Sequence, residues 1–203
     1  TAEEVPANEK GVVAVVPPLP PGCMTTVWGQ DERFVQTYFT SFKNKMVYTT
    51  FDWGIRDEDN YYFILGRTDD VINVAGHRLG TREIEEAVSA HPAIAEVAVV
   101  GVADQLKGQM PLAFAVVKDP ASAATAELRA ALEKEVMAKV DSLLGAIGRP
   151  KRVYFINQLP KTRSGKVLRR SIQAIAEGRD PGDLTTLDDP IGIQMVKEAV
   201  EGK

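Results

Sequence analysis

Hydrophobic residues switch along this chain between unbroken runs and a three-to-four-residue spacing, and the switches divide it into elements. The β-branched run at 11–16 predicts a buried strand, closed by the stiff stretch Pro17-Pro18-Leu19-Pro20-Pro21-Gly22. Asp31-Glu32-Arg33 opens a predicted short helix ending at Phe39. Residues 45–51 and 61–65 read as strands joined by a hairpin turn at Asp57-Glu58-Asp59-Asn60, where Asn60 best tolerates positive φ. This first part is β-rich, lacks an evident hydrophobic partner of its own, and reads as the end of a larger domain. The polar break Arg67-Thr68-Asp69-Asp70 predicts a boundary between parts 1–66 and 67–203.

Beyond the break, 71–74 and 76–79 predict a second hairpin, with Thr81 as a helix N-cap and Glu83 in the first turn. Ile84, Ala87 and Val88 share a helical face, and His91-Pro92 stops that helix. Runs at 95–102 and 111–118 predict two strands turning near Gly108, followed by an Ala/Ser-rich linker at 119–126. Leu128, Leu132, Val136 and Val140 then recur every four residues, an amphipathic helix. A short strand at 152–156 and a helix with Leu168, Ile172 and Ile175 inward complete the reading. The expected class is α+β: antiparallel strands in a short central sheet, with helices on one face.

Composition narrows the function classes. At 203 residues, 44% hydrophobic and 26% charged, the chain is of ordinary globular type and long enough to bury a core. A net charge of -4 argues against general nucleic-acid binding, yet residues 149–170 hold eight Lys or Arg and no Asp or Glu. That asymmetry predicts a local anion site within an acidic protein. One cysteine, Cys23, excludes an internal disulfide and a cysteine zinc cluster, and is expected to be a half-buried apolar residue. With only His77 and His91, neither a histidine metal site nor a Ser-His-Asp triad has enough material, and no metal site is expected. No apolar run reaches the roughly 18 residues of a membrane span, and no signal peptide opens the chain. The cytoplasm is the expected compartment, and a chain that begins at Thr1 is read as a fragment.

The basic stretch centres on Pro160-Lys161-Thr162-Arg163-Ser164-Gly165-Lys166. A nucleotide P-loop requires an earlier glycine and a hydroxyl after the lysine; Pro160 and Val167 stand at those places. What remains is a flexible Ser-Gly hinge presenting Lys166 beside Lys161, Arg163, Arg169 and Arg170, suited to a phosphate or phosphoanhydride.

Several segments together carry a family resemblance. Tyr48-Thr49-Thr50-Phe51-Asp52, Gly66-Arg67-Thr68-Asp69-Asp70, Val74-Ala75-Gly76-His77-Arg78-Leu79-Gly80, Glu83-Ile84-Glu85 and the 160–166 loop, in that order, resemble the C-terminal motif series of the AMP-forming acyl-CoA synthetases. The tail at 178–190 resembles the propionyl-CoA branch more than the acetyl-CoA branch. The resemblance implies a two-step ligase. A short-chain carboxylate attacks the α-phosphate of Mg²⁺-bound ATP to give an acyl adenylate, and coenzyme A then displaces AMP. Between the steps a mobile C-terminal lid rotates on an N-terminal part that carries the ATP loop and the acyl pocket, expected upstream of Thr1. It further implies that Asp52 accepts both ribose hydroxyls, Arg67 reaches the ribose, Asp69 is the hinge, Gly76 lines the coenzyme A tunnel, Arg78 approaches the nucleotide phosphate, and Lys166 is the catalytic lysine of adenylation. Many relatives carry glycine before this aspartate, where the present chain has Phe51. Reversible acylation of Lys166 by a lysine acetyltransferase, reversed by a deacetylase, is expected as an off switch.

Overall fold

A computed structural model describes residues 3–202 and divides the chain into two compact units between Asp69 and Asp70. In the first unit, β1 (Lys10–Val15), α1 (Asp31–Phe39), β2 (Tyr48–Arg56) and β3 (Tyr62–Arg67) form an antiparallel sheet of order β1-β2-β3 beside one helix. Strand β2 runs beyond the expected end at Phe51, through Asp52 and Gly54, two residue types that disguise a strand in sequence. Gly54 is required there, since a Cβ would stand 2.7 Å from Val13 Cγ2 and 3.2 Å from the Phe63 carbonyl oxygen. The turn forms at 57–60 as expected: Asn60 has φ 66°, and Asp57 Oδ1 accepts the Tyr61 amide at 2.8 Å.

This unit has an aromatic nucleus that the apolar pattern did not display. Tyr38 and Phe39 of α1, backed by Phe34 on the same helix, meet Tyr48 and Phe51 of β2, with Tyr38 stacked on Tyr48 at 4.9 Å. Burial, aided by the neighbouring Tyr38 and Cys23, raises the Tyr48 pKa above the usual phenol value. Cys23 itself is exposed, contrary to the half-buried position expected for it.

The second unit contains β4 (Val71–Val74), β5 (His77–Gly80), α2 (Thr81–Ser89), β6 (Ile94–Asp104), β7 (Gly108–Val117), a 3-10 turn at Pro120–Ala123, α3 (Ala126–Leu144), β8 (Val153–Phe155), α4 (Arg169–Ala176) and α5 (Ile191–Glu201). Its sheet runs β5-β4-β7-β6, antiparallel throughout, and β8 adds to β7 in parallel. The class is α+β, but helices cover both faces of the sheet rather than one. Ile84 and Val88 of α2 and Val136 and Val140 of α3 pack with Ile72 and Val99 on one side. On the other, Ile172 and Ile175 of α4 and Ile193 and Val196 of α5 pack with Val100 and Phe114. Both parities of the apolar run Val97-Ala98-Val99-Val100 are buried or partly buried, so each face needs its own cover.

Three local expectations are corrected. Thr81 is the first helical residue, buried, and Gly80 holds the cap position. Leu128 is 44% exposed, so the buried stripe of α3 begins only at Leu132. Helix α5 was not expected at all. His91 closes α2 as read, its Nδ1 accepting the Ala93 amide at 3.3 Å.

Strand β6 is a sheet edge whose outward backbone groups are satisfied by side chains. Glu85 of α2 accepts the Val99 amide at 2.9 Å, Gln173 of α4 donates to the Gly101 carbonyl at 2.7 Å, and Glu177 accepts the Ala103 amide at 3.2 Å. These bonds cover an edge that would otherwise invite another strand.

Candidate functional site

The 160–166 loop is a closed hairpin rather than a free hinge. Lys161 pairs with Val167, the Thr162 amide donates to the Lys166 carbonyl at 2.8 Å, and the Gly165 amide donates to the Thr162 carbonyl at 2.8 Å. Thr162 Oγ1 accepts the Lys166 amide at 3.1 Å and lies 3.0 Å from Ser164 Oγ. Gly165 has φ 83°, a left-handed conformation that glycine adopts without steric cost. The turn leaves Arg163, Ser164, Gly165 and Lys166 exposed at its tip.

Most of the basic stretch is neutralised by acids from elsewhere in the fold. Arg149 pairs with Asp141, Lys151 with Asp104, Arg152 with Glu133, and Lys161 with Glu96 at 2.5 Å. Arg169 makes a bidentate pair with Glu85, both oxygens at 2.8 Å from one guanidinium nitrogen. Among the described residues, Arg163 and Lys166 form no ion pair, so the positive charge is focused at the loop tip. A cation held at the tip of a short, hydrogen-bonded turn can meet an incoming phosphate without first breaking a protein contact.

The other expected residues lie in two further places. In the first unit Asp52 stands opposite Arg67 across β2 and β3. Arg67 donates from Nε to Asp69 Oδ1 at 2.9 Å and lies 5.7 Å from the Phe51 ring. Phe51 has φ 63°, a conformation costly for a bulky residue. In the second unit Gly76 and Arg78 share the hairpin of β4 and β5, with Ala75 at φ 50° and Gly76 at φ 88° forming the turn. A Cβ on Gly76 would meet nothing within 4 Å, and Arg78 is exposed opposite Asn73. Gly76 and Arg78 thus come together, as do Asp52, Arg67 and Asp69, while Lys166 occupies its own loop. Sequence reading missed Glu85 as the partner of Arg169 because 84 residues separate them.

Among the described residues no group of three or more His, Cys, Asp or Glu side chains is set to hold a metal ion. No described helix is long and apolar enough to cross a membrane.

This combination of a two-faced α+β unit and an exposed lysine turn has known counterparts. Residues 83–166 match the AMP-binding enzyme C-terminal domain. The chain is 61% identical over 201 residues to a propionate–CoA ligase of Escherichia coli (strain K12), covering 99% of this chain and 32% of that protein. It is 46% identical to an acetyl-coenzyme A synthetase of Pyrobaculum arsenaticum, over 97% of this chain and 28% of that enzyme. Among solved structures, ATP-bound MatB from Rhodopseudomonas palustris matches with a TM-score of 0.69 and 28% identity, over 86% of this chain and 33% of that one. The amide bond synthetase McbA from Marinactinospora thermotolerans matches with a TM-score of 0.67 and 27% identity, over 84% of this chain and 31% of that one. The chain therefore spans about a third of the length of the curated relatives it matches.

Proposed function

We propose that this chain is the C-terminal part of an ATP-dependent ligase that converts propionate, or acetate as the alternative substrate, to its acyl-CoA through an acyl adenylate. The observation that carries the reading is Lys166: an exposed ammonium without an ion-pair partner at the tip of a closed turn, in a basic stretch whose other charges are largely neutralised. In the first step a propionate oxygen attacks the α-phosphorus of ATP and the bond to pyrophosphate breaks. Lys166 bridges the attacking carboxylate and the α-phosphate, where negative charge concentrates. In the second step the coenzyme A sulfur attacks the acyl carbonyl and AMP leaves.

The remaining roles follow the same logic. Asp52 has no side-chain hydrogen bond within the described residues, so two oxygens are available to two vicinal ribose hydroxyls. Arg67, across the strand pair, reaches the same ribose, and Asp69 is the hinge. Gly76 leaves open space for the pantetheine arm, and Arg78 beside it approaches the phosphate in the second step. Magnesium enters with ATP as part of the substrate. The N-terminal part of the enzyme supplies the ATP loop and acyl pocket, so the 203-residue chain alone should give no ATP–pyrophosphate exchange. The exposure of Lys166 also supports its acetylation as an off switch, undone by a deacetylase; peptide mapping after treatment with an acetyltransferase tests this, and a label confined to other lysines would sink it.

Lys166→Ala in the complete enzyme tests the main reading. ATP–pyrophosphate exchange should fall roughly 10²- to 10³-fold, the usual cost of one preorganised electrostatic contact. Thioester formation from supplied propionyl-AMP should persist. Equal loss of both half-reactions would refute the assignment. A second reading, transfer to an amine, draws on the likeness to the amide bond synthetase; faster consumption of propionyl-AMP by an amine than by coenzyme A would favour it.

A further inference from the structure

The tail beyond α4 has no role in the reading above, yet it is bonded to the first arm of the lysine turn. The Arg163 amide donates to the Thr186 carbonyl at 3.2 Å, and the Asp188 amide donates to the Lys161 carbonyl at 2.9 Å. With Thr162 bridged to Leu187 and Lys161 to Val167, residues 186–188 run alongside the 161–163 arm of the turn. Leu184, just before the segment, and Leu187 within it are partly buried against the α4–α5 core.

A second set of contacts grips the entry to the turn. Asp189 Oδ2 accepts the Gln158 side-chain amide at 3.1 Å, while Asp189 Oδ1 accepts the Ile191 amide at 2.8 Å and so satisfies a donor at the start of α5. One turn on, Gly192 lies directly against the backbone that leads into the loop. A Cβ there would stand 2.9 Å from both the Cα and the nitrogen of Pro160. Gly192 is buried, and Ile193 and Val196 anchor the same helix in the core. The position of the lysine turn is thus set by a helix that follows it in sequence.

We infer that residues 186–192 are a brace that positions Lys166, with Asp189 and Gly192 as positioning residues for the adenylation step. The inference rests on the proposed role of Lys166. Neither residue is required to touch a reactant. They act by holding 158–163 in place, so that the turn carries its ammonium to one location with little left to order when the reactants bind. In-line transfer is sensitive to such placement, and a displacement of about 1 Å can cost roughly a hundredfold in rate.

The test uses the complete enzyme and three variants. Asp189→Ala removes both hydrogen bonds. Asp189→Asn keeps them, because its amide oxygen accepts the Ile191 amide and its NH₂ meets the Gln158 oxygen once that carboxamide flips. Gly192→Val forces α5 away from Pro160. Two readouts are taken at saturating substrate: ATP–pyrophosphate exchange, and thioester formation from propionyl-AMP and coenzyme A. Asp189→Ala and Gly192→Val should lose roughly ten- to a hundredfold in exchange while thioester formation and Asp189→Asn stay within about threefold of the parent. Equal loss in both half-reactions would make the contacts merely structural and overturn the inference, as would unchanged exchange in Asp189→Ala and Gly192→Val. An Asp189→Asn variant as slow as Asp189→Ala would overturn the hydrogen-bond assignment. Lys166→Ala run alongside separates the two levels: exchange surviving that substitution removes the reading beneath, whereas exchange lost there but intact in the brace variants removes only the brace.

Discussion

Gly76 and Phe51 both occupy the left-handed region, one freely and one under strain. At Gly76 the turn between β4 and β5 demands the conformation and no neighbour demands the missing side chain, since a Cβ would meet nothing within 4 Å. Gly76→Leu should therefore destabilise the chain by only about 1–2 kcal/mol, the usual cost of a left-handed non-glycine residue. It should nonetheless block thioester formation and spare adenylation, if the open space above Gly76 receives the pantetheine arm; normal thioester output would remove Gly76 from the tunnel. Phe51 carries the same conformational cost but contacts Tyr38 and lies near the Arg67 guanidinium, which helps to hold it there. The lysine turn was legible in the sequence because its signal is local, a Ser-Gly-Lys tripeptide inside a basic run. The neutralisation of its neighbours was not, because Glu85, Glu96, Asp104, Glu133 and Asp141 reach those cations from α2, β6 and α3.

Elements were recognisable where one face alone is buried and obscure where burial depends on distant partners. The stripe Leu132, Val136, Val140 announces α3, whereas the second helical layer is hidden because an apolar run such as 97–102 does not say how many faces will be covered. Helix α5 does carry a signal, Ile193, Val196 and Val200 on one face, but it follows a tail rich in Asp, Gly and Pro that reads as irregular. Glu85 ties α2, the edge of β6 and α4 together, so Glu85→Ala strands the Val99 amide and Arg169 at once. The expected loss is about 1–3 kcal/mol, the penalty for a buried donor left unsatisfied, read as a lower urea midpoint; Glu85→Gln, which keeps an acceptor, should recover part of it. A pH effect belongs to the β6–β7 turn, where Asp104 accepts the Lys107 and Leu106 amides, each at 3.1 Å, and its pKa is lowered in consequence. Its folded value lies below the unfolded one, so this contribution is complete above about pH 4 and is lost as pH falls through the folded value. Asp104→Asn should flatten the acid side of the stability curve; an unchanged slope there would refute this.

For the molecule as a whole, the second unit has a core on each face of its sheet, whereas the first leaves Trp28, Tyr61, Tyr62, Phe63 and Ile64 exposed. The chain changes from one unit to the other between Asp69 and Asp70, and Asp69 is held by Arg67 through a surface ion pair with both partners more than a third exposed. Such a pair contributes about 0–1 kcal/mol, a small contact to give up in a rotation about Asp69. A hinge at this point makes a demand that a plain linker does not: its φ and ψ must take two sets of values, one for each half-reaction. Asp69→Pro would fix φ near -65° and also restrict Thr68. In the complete enzyme it should preserve one half-reaction and abolish the other, since only one pose remains accessible. Asp69→Ala removes the ion pair without fixing φ, and should slow both half-reactions modestly. If proline and alanine behave alike, Asp69 is a linker residue and the change of pose must be sought elsewhere in 66–70.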